Sequence, residues 1–115
     1  MKIEDLKKYL DAEVLCCEEN ISRPIFSACG CDLMSDVLAY VKDQGVLLTG
    51  LVNPQVVRTA MMMDMICIVF VRSKVPTDEM LQLAKDNGIV IMKTKMRLYE
   101  ACGILYSNGL TGITD

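Results

Sequence analysis

The sequence predicts a three-layer α/β sandwich with a mainly parallel sheet, and three observations carry that prediction. Residues 45–50, 65–71 and 88–92 form short runs that are apolar almost throughout, as strands are when helices cover both faces of a parallel sheet. Each run is followed by a segment of helical spacing with capping residues. The connections are short, and right-handed crossovers between alternating strands and helices close the pattern into one layered unit.

The elements follow in chain order. Ile3, Leu6 and Leu10 recur at helical spacing and mark a short amphipathic helix. Residues 13–17 and 25–28 read as strands, separated by a polar turn over 18–24. Asp32 stands as the cap of a helix carrying Met34, Val37, Leu38 and Val41, which Gly45 ends. The run 45–50 is the third strand. Asn53 and Pro54 then supply a cap and a first-turn proline for a helix that turns Val56, Val57, Ala60 and Met61 inward. The β-branched run 65–71 is the fourth strand. Thr77 caps the next helix, Asp78 and Glu79 suit its first turn, Met80, Leu83 and Ala84 face inward, and Asn87-Gly88 stops it. The fifth strand is 88–92. A last helix is expected over 94–106, capped by Thr94, with Leu98, Cys102, Leu105 and Tyr106 on one face and Asn108-Gly109 closing it.

A length of 115 residues fits one domain spanning 1–115. Apolar residues at 52% against 23% charged exclude a disordered chain. A net charge of −3 and a pI near 4.9 leave no overall positive field for nucleic acid or an anionic membrane. With no His, the commonest general base and the Cys-His and Ser-His arrangements are missing, and no enzymatic activity is expected. The charged start and the lack of an apolar run of about 18 residues predict neither signal peptide nor membrane helix. Six Cys then point to a reducing compartment, the cytoplasm.

In open parallel sheets, ligands bind beyond the carboxyl ends of the strands, where helix N-termini present free N–H groups. That edge comprises Thr49, Gly50 and Asn53, then Arg72 and Lys74, then Lys93, Thr94, Lys95 and Arg97. Five of the 12 basic residues fall in its last two junctions. A local positive cleft on an acidic body selects a small anion. The expected ligand bears phosphate, with Thr49, Gly50, Asn53, Arg72, Lys74, Lys93, Thr94 and Lys95 as its site. Taken singly, these bases also serve to keep strand ends solvated, Gly50 to relieve a tight turn, and Thr94 to cap a helix. Neither G-x-x-x-x-G-K-[ST] nor G-x-G-x-x-G occurs, so binding would serve recognition and not phosphoryl transfer.

Cys67 and Cys102 lie on apolar faces and read as core packing. Cys16, Cys17, Cys29 and Cys31 are read first as buried or edge thiols. Were their strands neighbours, the four could converge on zinc or an iron–sulfur cluster, although no C-x-x-C spacing supports it. Met61, Met62, Met63 and Met65 form a run too long to face wholly inward, which suggests a partner surface. The excess of apolar residues over what a small core can hide predicts a homodimer, joined through 61–65 or 104–106.

Four linked segments, DLMSDVL at 32–38, LLTGLVNPQVVRTA at 47–60, IVFVR at 68–72 and ACGILY at 101–106, resemble a stand-alone DRTGG domain. The resemblance covers roughly residues 13–110. It implies kinship with small single-domain proteins of anaerobic bacteria that accompany hydrogenase and sensor-kinase components, and hence a hydrogenase or signalling partner. The wider family sits beside CBS domains in pyrophosphatases controlled by adenine nucleotides, and in some phosphotransacetylases and dethiobiotin-synthetase-like proteins. It is also related to the N-terminal domain of the phosphocarrier-protein kinase/phosphorylase, whose kinase activity is not implied for a chain without a phosphate-binding loop. The family's Gly-Asp-Arg strand-end motif here reads Thr49-Gly50-Leu51-Val52-Asn53, so Gly50 alone carries across.

The expected function is therefore a non-catalytic regulatory or adaptor domain, dimeric, sensing a phosphorylated metabolite or an adenine nucleotide. A ligand-free oligomerisation scaffold and a cysteine-based metal or redox protein associated with hydrogenase systems stand as the alternatives.

Overall fold

A computed structural model describes residues 1–40 and 45–111. Helices α1 (Ile3–Tyr9), α2 (Met34–Tyr40), α3 (Pro54–Met62), α4 (Asp78–Asp86) and α5 (Leu98–Ser107) are interleaved with strands β1 (Glu13–Cys16), β2 (Ser27–Gly30), β3 (Gly45–Thr49), β4 (Cys67–Phe70) and β5 (Val90–Lys93), with a 3-10 turn, Glu18–Asn20, between β1 and β2. The strands make one sheet in the order β1-β5-β4-β3-β2. Strands β2 to β5 are parallel, and β1 closes the far edge antiparallel to β5. On one side α2, α3 and α4 pack in sequence, and on the other α5 packs with α1 and against β3. The expected sandwich is thus the observed one.

Burial explains why the central runs are uniformly apolar. Ile68, Val69 and Phe70 of β4 are all 0% exposed, as are Val46 and Leu47 of β3. Each such side chain contributes about 1.5–3 kcal/mol on leaving water. Helix ends are fixed by the residues the sequence marks: Asn53 Oδ1 accepts from the Gln55 N–H at 2.7 Å, and Thr77 Oγ1 from that of Met80 at 3.2 Å. Gly88, at φ +67°, takes the left-handed turn that ends α4.

Four local expectations are corrected. β2 begins at Ser27 and not at Ile25, because Ile25 donates its N–H to the Met1 carbonyl at 2.7 Å and Pro24 bridges to Lys2, which ties that stretch to the start of α1. Asp32 does not cap α2: the Leu33 carbonyl accepts the first helical bonds, from Asp36 and Val37. Nor does Thr94 cap α5, which starts at Leu98. The Thr94 hydroxyl instead donates to the Leu10 carbonyl at 2.6 Å and accepts from the Met96 N–H at 3.2 Å. Leu38 and Tyr106, expected inward, are exposed. Val41 lies outside the described residues.

The Thr94 hydroxyl pins the end of α1 to the turn after β5. Thr94→Val keeps the shape and leaves a buried carbonyl without its donor, so urea denaturation should show a loss of about 1–3 kcal/mol. Unchanged stability would mean that the bond holds nothing.

Candidate functional site

The parallel register decides which loops meet. Gly30 pairs with Leu48, and Thr49 with Phe70, which in turn pairs with Lys93. Counting two residues onward along β2 and β4 puts Asp32 and Arg72 on either side of the β3 end at Gly50. There the Asp32 Oδ1 accepts from the Gly50 N–H at 2.7 Å and from the Thr49 hydroxyl at 2.9 Å. Its Oδ2 lies 3.7 Å from Arg72 Nη2. The Thr49 hydroxyl also accepts from the Leu51 N–H at 3.1 Å, so this fully buried side chain is satisfied.

Gly50 has a steric reason as well. A Cβ there would run into the Arg72 guanidinium, with Cζ only 2.8 Å away. Arg72 reaches this place from an unusual backbone: Arg72 and Ser73 both adopt left-handed φ, +57° and +56°, a conformation that costs non-glycine residues about 1–3 kcal/mol each. Two backbone bonds hold the turn, Arg72 N–H to the Met96 carbonyl at 2.8 Å and Ser73 N–H to that of Thr94 at 2.9 Å. The Gly50 amide, more than partial burial opposes it, holds the Asp32 carboxyl below its usual range, with Thr49 and Arg72 adding to the effect.

The remaining expected residues separate from this seat. Lys93 stands two strands from Thr49, about 10 Å at ordinary strand spacing, and its Nζ lies 3.3 Å from Glu13 across the antiparallel β1–β5 pair. With Thr94, Lys95 and Ser73 it lines a cleft of about 210 Å³ that also contains Asp11 and Glu13. Two carboxylates there offset the two lysines. Asn53 is occupied as a helix cap, and Lys74 is exposed. The expected site is thus two places: a compact seat of Thr49, Gly50 and Arg72, and a charge-balanced cleft beneath Lys93 and Lys95.

Sequence reading missed Asp32 as a member of the seat. Its signal was the position just past β2, which the neighbouring parallel β3 brings beside Gly50. An acid and a base do stand beside Gly50, at the ends of the adjacent strands.

The cysteines do not converge. β1 and β2 are opposite edges of the sheet, so Cys16 and Cys17 lie across its width from Cys29 and Cys31. Among the described residues no three metal-ligating side chains form a group. Burial pushes the Cys17 thiol up to about 11 and raises Cys16 and Cys29. Such thiols stay protonated, and the Cys16 Sγ donates to the Ile89 carbonyl at 3.4 Å. A larger cavity, about 680 Å³, opens at the amino ends of β4 and β5 between Arg23, Asp64 and Asn87. Helices α3 and α4 end there, presenting carbonyls and the negative poles of their dipoles, which disfavours an anion.

No protein-family model and no curated protein matches the sequence. The fold does have a counterpart. The crystal structure of the CBS and DRTGG domains of the regulatory region of Clostridium perfringens pyrophosphatase, complexed with the activator diadenosine tetraphosphate, superposes with a TM-score of 0.72 over 90% of this chain, at 14% identity. This chain spans 45% of that structure's length. The likeness is one of fold, and that counterpart is a regulatory region. Among the described residues, no helix is long and apolar enough to cross a membrane.

Two outcomes are expected at this site. Gly50→Ala should displace the guanidinium, breaking the Asp32–Arg72 pair and lowering the melting temperature. A lower native carboxyl pKa means stability present above the unfolded value of about 3.9 and lost as pH falls through the folded one. Acid denaturation of Asp32→Asn should accordingly lose less stability than the parent below about pH 4. An identical acid limb in both proteins would show that Asp32 gains nothing from the seat.

Proposed function

We propose that this chain is a non-catalytic regulatory or adaptor domain, acting as a homodimer, whose ligand is a phosphate-bearing metabolite bound at the carboxyl ends of β3 and β4. One observation supports the reading most: the Asp32 carboxylate is gripped by an N–H, a hydroxyl and a guanidinium. These donors are the ones a phosphate oxygen needs. The fold likeness to a regulatory region crystallised with an adenine-nucleotide activator makes adenine nucleotides the first ligands to try. The hydrogenase or signalling partner of this reading rests on the sequence resemblance alone.

In this reading Asp32 is the seat's internal occupant, which an incoming phosphate displaces. The exchange is feasible because both Asp32 and Arg72 side chains are about half exposed, 48% and 49%, and an ion pair so solvated holds weakly, by about 0–1 kcal/mol. The Gly50 amide, the Thr49 hydroxyl and Arg72 then transfer to the ligand.

Isothermal titration with adenosine di- and triphosphate, inorganic phosphate and a sugar phosphate tests this directly. Asp32→Ala empties the seat and should tighten binding about tenfold, since the competent state no longer competes with the carboxylate. Arg72→Ala should abolish binding, and salt should weaken it. Were none of these anions to bind either the parent or Asp32→Ala at millimolar concentration, the seat would be structural and the chain a ligand-free oligomerisation scaffold.

A further inference from the structure

Helix α5 turns Ala101 and Leu105 into the core, at 0% and 1% exposure. Its outer face carries exposed Glu100 and Ser107 but also two large exposed aromatics. Tyr99 and Tyr106, seven residues apart and therefore on one stripe, are 92% and 59% exposed. Between them lie exposed Gly103 and half-buried Cys102. The stripe forms an open groove of about 560 Å³. Two large aromatic side chains exposed on one helix face offer a surface for a partner to cover.

Gly103 sharpens the point. Glycine is among the poorest helix formers, and elsewhere in this chain a missing Cβ has a visible purpose: at Gly50 it admits Arg72, and at Gly30 it admits the Cys102 sulfur. Gly103 has ordinary helical φ, and among the described residues nothing comes within 4 Å of a Cβ placed there. A close approach from outside the chain accounts for it.

We infer that the outer face of α5 is the homodimer contact, packed antiparallel against α5 of a second copy across a twofold axis near the Cys102–Gly103 peptide bond. This rests on the homodimer in the function proposed above and names its surface. The segment YEACGILY, 99–106, carries a tyrosine at each end and two small residues in the middle, so its ends match across the twofold axis. A twofold contact needs such self-complementarity. Tyr99 meets Tyr106 of the partner subunit, and the small central pair lets the helix backbones come close. Antiparallel alignment also sets the positive pole of each helix beside the negative pole of the other.

The tyrosines supply about half of the area that a small standard interface needs. Aromatic side chains bury about 150–250 Å² each, so the two exposed tyrosines of both copies supply roughly 600 Å² of a standard interface of about 1,200–2,000 Å². Glu100, Cys102, Ile104, Ser107 and Asn108 line the rest of the groove and contribute the remainder. The methionine run is a poorer candidate, because Met65 is only 3% exposed, Met61 and Met63 are half-buried, and Met62 alone projects.

Sedimentation equilibrium of the full chain under reducing conditions, on the parent, Gly103→Arg, Tyr99→Ala/Tyr106→Ala and Met62→Arg, tests the surface. The parent and Met62→Arg should be dimers. Gly103→Arg and the double tyrosine variant should weaken dimerisation at least about thirtyfold, as loss of a central anchor does. Both should keep the parent's circular dichroism, since the altered side chains face solvent in the single chain. If both remain dimeric like the parent, the α5 surface is wrong while the dimer stands. A monomeric parent would overturn both.

Discussion

Where β3 stops pairing, the Gly50 N–H points along the sheet toward the end of β2 and meets the Asp32 carboxylate at 2.7 Å. That bond ties together three consecutive strand ends. It draws the start of α2 over β3, fixes the Thr49 hydroxyl, and gives the Arg72 guanidinium a negative partner above a residue that has no side chain to obstruct it. The left-handed turn at Arg72 and Ser73 delivers the guanidinium to that spot. Its strain is borne by bonds to the loop before α5, which the Thr94 hydroxyl in turn anchors to α1. A charged pair at a parallel-sheet edge is thus supported from both helical layers.

The consequence for binding is a seat that is polar, preorganised and already filled. A phosphate approaching it must compete with a carboxylate tethered at high effective concentration. In the proposed reading this competition sets a threshold, so that the domain responds to a ligand at metabolite concentrations and ignores traces of phosphate. The acidic body around the seat adds to the selectivity by repelling polyanions. Cys16, Cys17 and Cys67 are buried and serve packing, whereas Cys29, Cys31 and Cys102 are half-buried.

The sheet and its alternating helices were legible because burial on both faces leaves a strong mark: runs such as 65–71 have no polar position to confuse with a half-exposed strand. The caps Asn53 and Thr77 were legible for an equally local reason, a side chain bonding to its own helix. What escaped was non-local. Asp32 and Thr94 look like helix caps in isolation, but each bonds to a carbonyl or amide brought near only by the fold, 18 and 84 residues away. Lys93 looks like an anion ligand until β1 pairs beside β5 and sets Glu13 against it. The edge strand β2 was displaced because Ser, Ala, Cys and Gly carry little periodic signal, and because α1 claimed Ile25.

The central claim is that the Gly50 amide belongs to an anion seat whose resident carboxylate gives way to phosphate. Amide chemical shifts followed by nuclear magnetic resonance while adenosine diphosphate is added to the parent chain address it most directly. The account predicts that Gly50 and Leu51 move furthest among the backbone amides, together with the Arg72 side-chain Nε–H. Saturable shifts clustered instead around Arg23, Asn87 and Gly88, with Gly50 unmoved, would place the ligand at the opposite end of the sheet and contradict it.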